Sequence, residues 1–433
     1  MITVDSLRAD TCGFIGDTGC TPFLSSIADR SLIFENAISP GPRTPSSIPV
    51  LLTGEFNRHD GYHMRSQRNA IRHHLRTHST IPERVSQSGY TTVGFSANPW
   101  TAIDTGFDDI FDEFVELNPA SENGVDAFTD MKTVRGFDYF LEKIGQTDFL
   151  KWESRREWLS HWAGYYDQIR ERVRSLDEPY FVWIFLMDTH QPYIVPRDFR
   201  EDSSGLKMYL SLLNYARGRA EGLSEHSEQW LKECYRDAAR SADEFIRRLA
   251  QDLEASAPIL LMHSDHGESH GDHATYGHEQ QLFEENIRVP LLIHGTDQND
   301  AVTDPLSLST LPRLVELLTE GRADSLGHLT TDFVLSDVES IPVANRRAKK
   351  MNYTPHYCSI RGKRYKYIQT PEGPELYDLH ADSNEMTNIA DPNRDLVAQF
   401  ERLANVKTAK QIEKKRLRSA IGDSALSASQ VSR

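Results

Sequence analysis

An apolar run from Ala257 to Met262 is followed within four residues by Asp265 and His266, in the stretch Ser264-Asp265-His266-Gly267-Glu268. An apolar run without alternation reads as a strand buried on both faces. Such strands belong to parallel sheets covered by helices on each side. In these sheets ligands bind beyond the carboxyl ends of the strands. A carboxylate and an imidazole at that end can share one divalent cation. The pair alone settles little, because solvated turns carry both residues as well.

Two further strand ends bear polar side chains. Phe181 to Leu186 is fully apolar and runs into Met187-Asp188-Thr189-His190. Met1 to Val4 reads as the last half of a buried strand and runs at once into Asp5. It is short against the usual ~5–6 residues. Either a short first strand or the loss of a few residues ahead of Met1 accounts for that. Between these runs lie helices. Residues 21–30 have Thr21 at the N-cap and Pro22 in the first turn, and residues 45–52 end at Gly54. Residues 81–88 end at Gly89, and residues 225–253 form a long amphipathic helix. Strands at 31–37 and 91–95 alternate with them. The alternation predicts an α/β fold with a mostly parallel central sheet and crossover helices.

Residues 115–178 are rich in Trp, Tyr and charge, with helical spacing around Tyr139-Phe140-Leu141 and Trp158-Leu159. They read as an inserted helical segment whose aromatic residues pack a core or a lid. Val289 to Ile293 and Phe333 to Leu335 read as further core strands. After about 340 the pattern becomes short, alternating and turn-separated: Cys358 to Arg361, Lys363 to Ile368, and Glu375 to Leu379. This predicts an antiparallel meander, then a helix near 393–404. The expected division is a catalytic domain over 1–340, a small subdomain over 341–406 and a basic tail over 407–433. The tail holds Lys414-Lys415-Arg416 and reads as a frayed helix or disorder.

Charge and cysteine usage narrow the function classes. With 64 acidic and 48 basic residues the net charge is −16, which excludes the basic footprint of a nucleic-acid binder. Cys12, Cys20, Cys234 and Cys358 have no metal or disulfide spacing. No run of ~18 apolar residues predicts a membrane span. No charged n-region with an apolar h-region opens the chain, so the expected location is cytoplasmic.

Thr44 stands before Pro45 at the start of a predicted helix. Free N–H groups and the helix dipole favour an anion there. Read alone, Thr44 is an ordinary N-cap and Asp5 an ordinary turn cap. His270, His273 and His278 form a histidine-rich loop from which residue type alone selects no functional member.

From residue 1 to about 405 the chain resembles the sulfatases of the alkaline-phosphatase superfamily. The N-terminal motifs are Val4-Asp5-Ser6-Leu7-Arg8-Ala9-Asp10, Thr21-Pro22-Phe23-Leu24, and Phe34-Glu35-Asn36-Ala37 leading to Leu51-Leu52-Thr53-Gly54. Gly89-Tyr90-Thr91-Thr92, Asp188-Thr189-His190 and Ser264 to Glu268 follow. Glu284 to Pro290, Lys366-Tyr367-Ile368 and Glu375 to Leu379 complete the order. The resemblance implies an alkaline-phosphatase-like three-layer sandwich with a small C-terminal antiparallel sheet plus helix. It also implies one divalent metal ion (Ca, Mg or Mn) on Asp5, Asp265 and His266, with Thr44, His190 and His278 catalytic.

The departures are specific. Counting back from Gly54, the family's modified Cys or Ser falls on Thr44, which cannot become a formylglycine aldehyde. The family's Arg falls on Ile48, its second N-terminal Asp on Ser6, and its late Lys on His278. Its other lysine region reads Gly94 to Asn98. Branches that keep an unmodified Thr include phosphoglycerol transferases and some phosphoesterases. The expectation is a metal-dependent hydrolase of a sulfate or phosphate ester, with an anionic small molecule or glycan as substrate. A phosphoglycerol-type transferase or phosphodiesterase is the first alternative, and a non-catalytic binding protein of the same fold the second.

Overall fold

A computed structural model describes residues 1–16, 19–57, 64–117, 161–218, 222–338 and 340–406. The stretches Tyr139-Phe140-Leu141 and Trp158-Leu159 and the tail from 407 lie outside the described residues.

The central sheet has eight strands. Their order is Ala301–Val302, Ser31–Phe34, Leu291–His294, Leu260–Ser264, Ile2–Val4, Tyr180–Leu186, Thr91–Ser96 and Glu113–Glu116. All neighbours are parallel except Leu291–His294, which is antiparallel to both of its partners. The middle strands are buried on both faces, which explains their unbroken apolar character. The polar residues among them pair with one another. Trp183 Nε1 donates to Thr3 Oγ1 at 2.9 Å, and Thr3 Oγ1 lies 3.0 Å from His263 Nε2. Helices fall into two mutually packed sets. Pro22–Ile27 and Tyr166–Arg174 pack on Glu225–Asp252, while Thr44–Thr53 packs with Met64–Thr77, Ile81–Gln87 and Leu311–Thr319. With the sheet they form the three layers that the motifs imply.

Register decides what the strand ends bring together. Val4 is level with Ser264 on one side and Leu186 on the other. Asp5, Asp265 and Met187, the next residue in each chain segment, therefore leave the sheet at one height. The Asp5 N–H still donates to Leu186 O at 2.9 Å, and the Thr189 hydroxyl donates to Asp5 O.

Three local readings change. The strand holding Met262 spans only Leu260–Ser264; Ala257 has φ +42° and Ile259 is exposed. Phe333–Asp337 does not join the central sheet but forms the first strand of the small antiparallel one, followed by Cys358–Gly362, Tyr365–Thr370 and Gly373–Asp378. An apolar run buried on both faces fits either sheet, so sequence pattern could not choose. Third, Ile341–Met351 is a helix that pattern did not predict. The closing helix, 394–406, packs Val397, Phe400 and Ala404 on the small sheet.

Candidate active site

Three loops leave the sheet together and a helix start faces them. Asp5, Asp265 and His266 are fully buried, and one ligand atom of each lies within 4.8 Å of the others. His266 Nε2 is 3.5 Å from both Asp5 Oδ1 and Asp265 Oδ2. His266 Nδ1 lies 2.9 Å from Gly267 O, so the hydrogen-bond network assigns its proton to Nδ1 and leaves the Nε2 lone pair facing both carboxylates. Two carboxylates and an imidazole lone pair, all acceptors, converge on one point out of reach of water. That donor set fits a divalent cation with oxygen preference.

The surrounding groups hold the acceptors without neutralising them. Asp5 Oδ1 accepts from Ser6 Oγ and Oδ2 from Asn98 Nδ2, both at 2.8 Å. Asp265 Oδ1 accepts from the Ser6 and His266 N–H groups at 3.3 and 2.9 Å. Burial first, then the Asp265 charge, pushes the Asp5 carboxyl well above the usual range. Burial raises Asp265 in the same direction. Ser6 adopts φ +61°, a left-handed conformation that costs a non-glycine residue energy; it turns the chain so that Ser6 can serve both carboxylates. Gly267 has a different reason. A Cβ there would stand 2.0 Å from Glu285 O, because the Gly267 and Glu268 N–H groups donate to Asn286 O and Glu285 O.

Thr44 is the first residue of the helix Thr44–Thr53, and Arg43 rather than Thr44 occupies the N-cap. Its Oγ1 is 3.4 Å from His266 Nε2. Ile48 is buried in the core, so no cation stands where the resemblance would place one.

His190 and His278 meet. Their ring centres are 4.9 Å apart, and His278 is also 4.8 Å from His266. His278 is therefore a neighbour of both His190 and His266. His278 Nδ1 is 3.3 Å from Glu268 Oε1. Burial holds His190 down at about 3. His278 also lies well below the ordinary histidine value, through burial and then His266, His190, Arg43 and Arg347.

Arg43, Arg347, Glu268 and Asn98 are members of this site that residue reading gave no role. Asn98 follows the end of Thr91–Ser96, the strand beside Tyr180–Leu186, so the strand-end rule could have found it. Arg347 comes from the unforeseen helix and is held by Glu279, with Nη2 at 3.0 Å from Oε1. His270 and His273 belong elsewhere: His270 packs on Tyr235, and His273 Nδ1 is 2.8 Å from Glu285 Oε1.

Comparison with known proteins bears on the family and the fold. The sulfatase family model matches residues 1–310. An ulvan-active sulfatase of Formosa agariphila is 24% identical over 94% of this chain and 79% of its own length. A choline-sulfatase of Rhizobium meliloti is 31% identical, over 36% of this chain and 31% of its own length. Among solved structures, a 2-O GAG sulfatase superposes with a TM-score of 0.64 at 19% identity, covering 96% of this chain and 92% of that one. A phosphonate monoester hydrolase of Agrobacterium radiobacter reaches 0.61 at 15% identity, covering 96% and 95%. These structural likenesses show the shared fold.

Proposed function

The chain belongs to the sulfatase family, whose members are sulfuric ester hydrolases, and on that premise we propose that it cleaves a sulfate ester through Thr44, used without modification. The observation that carries this reading is the placement of the Thr44 hydroxyl at a helix start, 3.4 Å from His266 Nε2 in the Asp5, Asp265 and His266 cluster. Asp5, Asp265 and His266 would hold a divalent cation, which supplies Lewis-acid charge for a sulfuryl or phosphoryl oxygen and lowers the pKa of a nearby hydroxyl.

The chain's own groups account for the remaining steps. With the cation in place the Thr44 hydroxyl would release its proton to water before attack, so that Thr44 enters, and is later displaced, as the alkoxide. The dipole of the helix that starts at Thr44 favours an ester oxygen there; Pro45 has no N–H, and the N–H groups of Ser46 and Ser47 already donate to Arg43 O at 2.9 Å. His190 and His278 are neutral in the unliganded pocket. An ester anion beside them raises their pKa, so that one enters the reaction protonated. That imidazolium gives its proton to the leaving alcohol oxygen as the S–O bond breaks and the Thr44 O–S bond forms. The neutral imidazole then takes a proton from the water that attacks sulfur and frees Thr44. Arg43 and Arg347, whose fields reach His278, draw the anionic ester into the pocket.

A second reading has its own support. A threonine where formylglycine would arise suits direct attack on phosphorus, and a phosphonate monoester hydrolase shares the fold. Substrates of either class are anionic esters, small or carried on a glycan. A turnover panel of aryl sulfate, sugar sulfate, phosphate monoester, phosphodiester and phosphonate, each with Mn²⁺, Mg²⁺ and Ca²⁺, separates the readings. Sulfate turnover lost in Thr44→Ala supports the first. Preference for a phosphorus ester supports the second. Turnover of none by a metal-loaded chain contradicts both.

A further inference from the structure

One side chain outside the pocket touches all three loops that carry it. Tyr235 lies on the long helix Glu225–Asp252 and is 2% exposed. Its hydroxyl donates to Ser6 O at 2.8 Å and accepts from the Arg8 N–H at 2.9 Å. These two backbone groups bracket the turn after Ile2–Val4, the turn in which Ser6 is held at φ +61°. The Tyr235 ring packs 4.3 Å from the His270 ring, in the loop after Leu260–Ser264, and meets Tyr193 edge-on at 5.1 Å, in the loop after Tyr180–Leu186. Tyr193 Oη and His270 Nε2 close the triangle at 3.3 Å.

We infer that Tyr235 is a positioning residue which locks the Asp5, His190 and Asp265–His266 loops into one arrangement from beneath. The physical need is plain. A left-handed serine is a strained conformer that reverts unless its neighbours over-determine it. Here the hydroxyl is a partner for the Ser6 C=O and the Arg8 N–H, which leave that conformer on its C-terminal side around Leu7, and backbone groups withdrawn from water must be paired. The ring then couples the turn to the other two loops. Arg8 ties the first and third loops as well, through Glu268 O at 3.0 Å and Asp272 at 2.8 Å, but it has no bond to Ser6. The Ser6 N–H donates to Asp265 Oδ1 and the Leu7 N–H to Ser264 Oγ, the latter at 2.8 Å; the Tyr235 hydroxyl takes the Ser6 C=O and the Arg8 N–H, and Tyr235→Phe removes it while keeping the ring. The inference rests on the proposed roles of the three loops.

The test compares wild type with Tyr235→Phe in the full chain by amide hydrogen exchange, calorimetric Mn²⁺ binding and steady-state kinetics. The expected result is exchange at Arg8 faster by at least ~10-fold, because its N–H loses its only buried acceptor. Mn²⁺ affinity should weaken ~10-fold, the low end of the effect of losing an outer-shell partner, because Tyr235 acts through Ser6, which bonds both Asp5 and Asp265. The loss of kcat should be partly restored by raising Mn²⁺, which a merely destabilised protein would not show. Exchange and Mn²⁺ affinity both within about twofold of wild type would overturn the inference. If wild type neither binds Mn²⁺ nor turns over any ester, the proposed function falls and the Arg8 exchange ratio alone decides the role of Tyr235. Should Tyr235→Phe not fold, Arg8 exchange in wild type decides it: protection equal to that of Ile2–Val4 supports the lock, and loop-like exchange contradicts it.

Discussion

Two clusters of buried carboxylates lie in this molecule, and they are built in opposite ways. Beside the small antiparallel sheet, Lys366 is fully buried between Glu284 at 3.0 Å and Glu385 at 2.9 Å. Arg361 reaches Glu284 at 3.3 Å. Burial pushes the Glu284 carboxyl up, but Lys366 and Arg361 outweigh it and bring it to about 2. In the pocket, Asp5 and Asp265 are just as buried, yet their hydrogen-bond donors are Ser6, Asn98 and backbone amides, all uncharged. Both carboxyls are raised. Paired charge beside the small sheet is a clasp. Unpaired negative charge in the pocket, facing an imidazole lone pair, is a place for a cation from outside.

The largest expected effect lies on the pocket side. Thr44→Ala should lower turnover by on the order of 10⁴-fold or more, as loss of a nucleophile does. It should leave divalent-cation binding intact and shift stability by less than about 1 kcal/mol. Thr44→Ser should keep part of the activity, and mass analysis at short times should find a covalent adduct on residue 44. Full activity in Thr44→Ala would move the nucleophile to water. His190→Ala and His278→Ala should each cost ~10²–10⁴-fold, the worth of positioned proton transfer. Rates equal to wild type in both would make them ordinary loop histidines.

The Lys366 clasp should respond in stability rather than in rate. Lys366→Met strands two buried carboxylates and should destabilise the fold by about 3–5 kcal/mol in denaturant unfolding, as breaking a buried pair does. Turnover per folded molecule should stay unchanged. A large fall in kcat with no stability loss would mean that the clasp is part of the site.

The smallest effect is one of pH. Burial lifts Glu385 from its ordinary 4.5 to about 7, in spite of Lys366. A carboxyl raised in the folded state costs stability once ionised. Its contribution is therefore full below 4.5 and lost as pH rises through about 7. The difference in Tm between wild type and Glu385→Gln should change across that window, with wild type the more strongly weakened by rising pH. A constant difference would show that Glu385 does not titrate there.

How much of this was legible beforehand follows from the same physics. Asp5, His190 and Asp265 were readable because each stands just past an unbroken apolar strand, and such ends gather at one edge. That Val4 is level with both Ser264 and Leu186 is a fact of register that no single strand records. Asn98 went without a role because its strand neighbour was unknown. Arg347 was out of reach for a different reason. The buried face of Ile341–Met351 is only Ala344 and Ala348, small residues that make a weak apolar stripe. The placement of Phe333–Asp337 failed because an apolar run does not say which sheet it enters. Tyr235 looked like any aromatic on an amphipathic helix; its role lies in two backbone atoms more than 200 positions away.

The central claim, that the unpaired acids of the pocket hold one cation, has a direct test. Metal-stripped protein is titrated with Mn²⁺ by calorimetry, alongside Asp265→Asn and Glu385→Gln. The account predicts one site per chain in wild type and in Glu385→Gln, and none in a folded Asp265→Asn, whose metal-free form should melt at or above the wild-type temperature because a raised carboxyl has been replaced by a neutral amide. Saturable binding that survives in Asp265→Asn, or no binding in wild type, would contradict it.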